Sequence, residues 1–421
     1  MDKKQIIYIT IFVIVCILLG FAIYFVFFKK DIINNIGNQN TTDTTTGSFP
    51  NVNNGQNTTG NINNNSTGNT NNTGTTNNNN TSGIITNTNP GDRFNTTQEK
   101  PTITKITTLA NVGIAQAPGN AVKFYNVQDG KFYKVTSDGT IMPLSDQVFF
   151  DISNISWSPK NNESIIEYPD GANIYYNFDT KQQVTLPTHW QEFSFSADGS
   201  EIAAKSIGLD PSNRWLITSD PKGQNVKLIE PMGNNSNKVI VEWSPNRQIV
   251  ALSATGDPLG SDRQAILPIG LNGENFKSLV VEGRGLQTQW SPDGSKLLHS
   301  VYNSASDYKP VLWIADATPD TMGNNRKPLG VNTWASKCAM ADERFVYCGV
   351  PTSLETGAGF NPELSNIISD DIYKIDIQTG VKMVVPVEGY HTVQSMQVSQ
   401  DGTTLYFTDT NENGIFEIPL K

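Results

Sequence analysis

The chain has 421 residues, with 40 acidic and 30 basic side chains and a net charge of −10. Five of the acids and six of the bases lie in residues 1–100, so the acidity belongs to the remainder. Nucleic acid is disfavoured as a partner, because phosphate binding needs a basic face; acidity also serves solubility, so it selects no other partner by itself.

Met1-Asp-Lys-Lys4 leads into an apolar run from Ile6 to Phe28. As a helix of about 23 residues it would reach roughly 35 Å, enough for the hydrocarbon core of a bilayer. A cleaved signal peptide has a shorter apolar stretch and a small-residue cleavage site, whereas Phe25-Val-Phe-Phe-Lys-Lys30 is bulky and Val15 is too large for Cys16 to be a lipoprotein site. Residues 1–30 therefore predict a cytoplasmic tip and one uncleaved transmembrane helix. Lys3 and Lys4 balance Lys29 and Lys30, leaving the basic-residue rule tied. The short N-terminal tail and the lack of another Lys or Arg before Arg93 favour an inside N-terminus and an extracytoplasmic remainder.

Residues 31–100 are dominated by Asn, Thr and Gly and hold too little apolar surface to offset the entropy of ordering. They read as a disordered linker with an r.m.s. span of roughly 45 Å. Asn57, Asn65, Asn80 and Asn95 stand in glycosylation sequons, which matter only where the host modifies them.

From residue 101 one phrase recurs. It is clearest at Trp290-Ser-Pro-Asp-Gly294; relatives stand at Trp157-Ser-Pro159, Phe195-Ser-Ala-Asp-Gly199 and Trp243-Ser-Pro245. Looser copies are Gln116-Ala-Pro-Gly119, Met340-Ala-Asp342 and Val398-Ser-Gln-Asp-Gly402. The period, roughly forty to sixty residues, is that of propellers and solenoids. Each phrase ends one strand on an apolar residue, turns the chain and starts an alternating run such as Lys296 to Tyr302. A second run follows, as at Asn173-Ile-Tyr-Tyr-Asn-Phe178, then a short fourth, as at Gln183-Val-Thr-Leu-Pro187.

Four short strands per unit predict an all-β propeller domain over 101–421, with seven blades the best count and six or eight the neighbouring alternatives. The last copy stops after three strands, while Thr104-Lys-Ile-Thr-Thr-Leu109 precedes the first phrase as a spare fourth. Residues 102–109 are therefore expected to complete the last blade and remove an exposed edge.

Tandem Trp-Ser-Pro-Asp-Gly phrases followed by an Ile-Tyr strand resemble the WD-repeat-like propellers of the TolB type, and the propeller domains of prolyl-oligopeptidase relatives. The resemblance covers residues 102–421. It implies the fold strongly and the function weakly, since propellers host many activities.

Cys338 and Cys348 flank the sixth phrase on two strands of one hairpin. If they face the same side they can form a disulfide suited to an oxidising compartment; the alternative is two buried thiols. His189, His299 and His391 have no motif around them and read as core or loop histidines. Asp409, Asn411 and Asn413 alternate before Gly414 like the first half of a calcium loop, but Leu420 stands where the closing acid belongs, so a polar turn is the competing reading. No other metal and no cofactor is expected.

Two classes of function remain. One is a membrane-tethered extracytoplasmic propeller that binds a protein or envelope polymer; the other is a glycan hydrolase or lyase with acids converging on the central channel. A purely structural surface protein is a third, lesser reading. The longest gaps between copies, Pro351 to Asn366 and Asp316 to Trp334, are expected to mark the binding face, and deleting Ser353 to Pro362 is expected to leave stability nearly unchanged.

Overall fold

The computed structural model describes residues 102–420 apart from Asn275. The expected membrane helix and linker lie outside these residues. Among those described, no helix is long and apolar enough to cross a membrane.

The described strands form seven four-stranded antiparallel sheets. Six are made of consecutive strands, over 111–143, 154–186, 190–231, 239–281, 284–328 and 338–384, here blades 1 to 6. Blade 7 takes Val393–Val398, Thr404–Asp409 and Ile415–Pro419, and its fourth strand is Thr104–Thr107. The register sets Thr104 opposite Glu417 and Lys105 opposite Phe416. The expected loan of the opening strand to the final blade is thus met, and seven is the blade number.

From blade 6 through blades 7, 1, 2 and 3 to blade 4, each first strand touches the next, so first strands lie toward the axis. Between every pair of neighbouring blades lies one apolar cluster. Side chains alternate between the two faces of a strand. Leu297 accordingly packs between blades 4 and 5, and its neighbour Leu298 between blades 5 and 6. Second strands are covered on both faces, which is why Ala121–Asn126 and Ile249–Ser253 are buried throughout.

The recurrent phrase is a hydrogen-bonded clamp. In blade 5 the Ser291 hydroxyl donates to Asp293 Oδ1 at 2.6 Å and accepts the Lys296 N–H at 2.9 Å, while the same carboxylate oxygen accepts the Ser295 N–H at 2.8 Å. Ser196 with Asp198 and Ser399 with Asp401 repeat it. In blade 4 Asn246 stands for the acid, and Arg247 adopts the positive φ that glycine carries in the other copies. Gly294 has φ +74°, and a Cβ there would lie 2.8 Å from the Asn246 backbone nitrogen, so the turn of one blade nests against the turn before it.

Blade 6 lacks the Pro-Asp-Gly turn. Asp342 instead accepts the N–H groups of Arg344 and Phe345, each at 2.7 Å, and Cys338 and Cys348, opposite in register, form a disulfide with Cα atoms 4.1 Å apart.

Ser291→Ala should strand the half-buried Lys296 N–H and deprive Asp293 of a donor, at a cost of about 1 to 3 kcal/mol. An unchanged midpoint in urea denaturation would show that the clamp is decorative.

Candidate functional site

Strand direction gives the ring two unlike ends. First strands run toward the recurrent turns, second strands run back, and the fourth strands and the long second-to-third loops end on the opposite side. These are called the turn end and the loop end.

At the turn end an axial cavity of about 590 Å³ takes a lining residue from every blade: Gln116, Trp157, Phe195, Trp243, Pro292, Met340 and Val398. The signature residues Trp157, Pro159, Trp243, Pro245 and Pro292 therefore do more than turn the chain, since they wall the channel mouth. Trp290 is buried between blades 4 and 5, and Asp293 and Gly294 stay in the turn clamp. Among the described residues lining this cavity, Lys160 is the charged side chain.

One position before the first residue of each phrase, near or just after the end of each first strand's run, stand Ala115, Ser156, Ser194, Glu242, Gln289, Ala339 and Gln397. Glu242 is the charged member of that row. Its Oε2 accepts the Thr288 hydroxyl from the first strand of blade 5. Part of its surface remains open although protein surrounds it. Burial pushes its carboxyl up to about 7, against the opposing hydrogen bond from Thr288. Sequence reasoning missed this residue; comparing the phrase copies one position upstream would have found it.

The other candidates settle into structural positions. Asp409 accepts His391 Nδ1 at 3.1 Å and the Thr392 N–H at 3.0 Å through Oδ2, and the N–H groups of Asn411 and Glu412 through Oδ1. Asn411 turns its amide nitrogen to Thr392 Oγ1 and the Asn366 carbonyl. Asn413 is exposed in the same turn, and Gly414 is a glycine because the closing strand passes so near: a Cβ would lie 2.1 Å from the Thr107 carbonyl oxygen. Among the described residues no group of three or more His, Cys, Asp or Glu is placed to hold a metal. His299 is fully buried beside Trp313, and burial lowers its ring to about 4; His189 is exposed in a loop.

The loop end differs in surface. Val127, Val148, Phe150, Leu209, Leu259, Tyr308, Phe360, Leu364, Ile367 and Tyr390 are all exposed, and all lie in second-to-third loops or in connections between blades. The loop after Pro351 is one of these, as expected, but it is partly architectural. Ala358 and Gly359 are buried, and a Cβ at Gly359 would lie 2.6 Å from the Tyr302 side chain. The stretch from Asp316 to Trp334 is not one loop, because the short strand Lys327–Pro328 divides it between the two ends.

No family model matches the chain, and no curated protein matches it in sequence. In structure 1385 solved chains match, so likeness at this level separates no activity from another. An oligogalacturonate lyase in complex with manganese is similar over 76% of this chain and 93% of its own, with 14% identity and a TM-score of 0.52. The hydrazine synthase of Kuenenia stuttgartiensis is similar over 75% of this chain and 97% of its own, with 14% identity and a TM-score of 0.50. Tricorn protease shares 11% identity over 76% of this chain at a TM-score of 0.48, and the chain spans 34% of its length. The class defined is a seven-bladed β-propeller with WD-repeat-like, TolB-like turn phrases. That fold leaves catalysis and binding both open.

A carboxyl held above its unfolded value of about 4.3 favours the fold only while protonated; this contribution is full below that value and is lost as pH rises through the folded one. Replacing Glu242 with Gln, which keeps an acceptor for Thr288, should remove a loss of stability that the parent suffers as pH rises toward about 7. Thermal melts across pH test this, and parallel curves for the two proteins would contradict it.

Proposed function

We propose that the chain is a membrane-tethered extracytoplasmic propeller that acts as a binding or scaffold module for a protein or cell-envelope partner. The observation that carries this reading is the gathering of exposed apolar side chains on the loops of one end of the ring. Large apolar side chains left in water in one neighbourhood are the usual mark of an interaction surface. Residues 6–28 supply the proposed anchor, and the Cys338–Cys348 disulfide suits an oxidising compartment. The strand Thr104–Thr107 runs from the turn end to the loop end, so Thr104 stands at the turn end.

A second reading, a glycan hydrolase or lyase working at the channel, draws support from Glu242. A carboxyl with a value of about 7 is suited to general acid catalysis. Among the described residues, the lining of the turn-end cavity includes Lys160 and neither Glu242 nor another carboxylate, which weighs toward binding.

A photo-cross-linking side chain at Ile367 in intact cells should give one discrete adduct, whereas the same group at Leu228, exposed on the outer strand of blade 3, should give none. Equal labelling at both positions, or none at Ile367, would argue against a loop-end binding face.

A further inference from the structure

Around blades 5 to 7 the loop end gathers exposed apolar side chains. The Phe360 ring lies 5.2 Å from Tyr308 and 4.7 Å from Tyr302, and 62% of Phe360 remains exposed. Leu364 and Ile367 follow on the same loop, and Tyr390 stands on the connection into blade 7; Ile367 is 84% and Tyr390 92% exposed. The two segments are stitched together, since the Thr392 hydroxyl donates to the Ile368 carbonyl at 3.1 Å and the Asp370 N–H to the His391 carbonyl at 2.7 Å.

The patch is mounted before any partner arrives. Gly357 and Gly359 donate their N–H groups to the carbonyls of Asp307 and Tyr308, each at 2.8 Å, tying the blade 6 loop to the blade 5 loop. Beneath it, Asp370 pairs with Lys337 at 2.9 Å, both buried, and accepts the Val393 N–H at 2.7 Å. A surface held this way loses little conformational freedom on binding.

The charge around it is mainly acidic. Asp307, Glu355 and Glu363 are exposed on the blade 5 and blade 6 loops of the patch, and the half-buried Lys309 is the basic residue those two loops contain. A second copy meeting face to face, an anionic lipid surface and an anionic polymer would each bring like charge against these acids. A protein segment that interleaves Lys or Arg with apolar side chains would meet both requirements.

We propose that this patch docks a cationic amphipathic segment of a protein partner, its apolar side chains seated among Phe360, Leu364, Ile367 and Tyr390 and its cationic ones facing Asp307, Glu355 and Glu363. The proposal rests on the binding reading above and supplies its partner chemistry.

The test uses the full-length protein in neutral lipid nanodiscs, with empty discs as blank, and three labelled synthetic peptides. One alternates Lys with Leu and Trp, one replaces every Lys with Glu, and one replaces every Leu and Trp with Gly or Ser. Fluorescence anisotropy should detect binding of the first alone, weakening as salt rises. Ile367→Asp and Tyr390→Asp should each weaken it roughly tenfold or more. Glu363→Lys should weaken it and flatten its salt dependence, whereas Leu228→Asp should leave it unchanged; matching melting curves establish that each variant is folded. Equal binding by the parent and Ile367→Asp, or binding of the Glu peptide at the same patch, would overturn the proposal, as would no binding of the first peptide. If a discrete adduct at Ile367 persists while the cationic peptide fails, the partner chemistry is wrong and the binding reading stands; loss of both overturns both.

Discussion

Every sheet in this protein has two apolar faces, and that requirement closes the ring. An open stack of the same blades would leave an apolar face in water at each end. The interface between blades 7 and 1 shows the scale, since it buries Ile114, Val122, Phe124, Val135, Tyr406 and Ile415. At about 1.5 to 3 kcal/mol per large apolar side chain, exposing them would cost on the order of 10 kcal/mol, comparable with the whole stability of an ordinary domain. Borrowing residues 104–107 for the last sheet joins the two ends of the propeller sequence in one blade, so closure does not rest on packing alone.

Much of this was legible in the sequence because the chemistry that sets it is local. The serine hydroxyl and the acid two residues on saturate the backbone donors of their own turn, so the phrase marks a hairpin wherever it falls. A missing fourth strand at one end and a spare at the other gave the closure, and the pairing of Cys338 with Cys348 followed from their places on one hairpin. The long-range consequences were harder to read. Nothing near Trp157, Trp243 or Pro292 says that they share one cavity, because seven separate turns must first be brought around an axis. Glu242 looks like any strand glutamate until its position is compared across the copies. Asp409 resembles a metal ligand until His391 and the N–H groups of Thr392, Asn411 and Glu412 are seen to occupy it.

The two ends divide the work. At the turn end the side chains are committed to clamps, to nesting of successive turns and to the channel wall. At the loop end the connections leave apolar side chains and acids in water, mounted on a frame that the blades keep rigid. The binding role proposed above would use that asymmetry: one end spent on construction, the other free to meet a partner.

The account stands on the pairing of the first described strand with the last. Thr104 and Glu417 face each other across it, so cysteines at these two positions should oxidise to a cross-link identified by non-reducing peptide mapping, and the linked protein should melt at a higher temperature than its reduced form. Failure to cross-link in the folded protein, or a link that lowers the melting temperature and breaks the cooperativity of unfolding, would mean that the ring is not closed in this way.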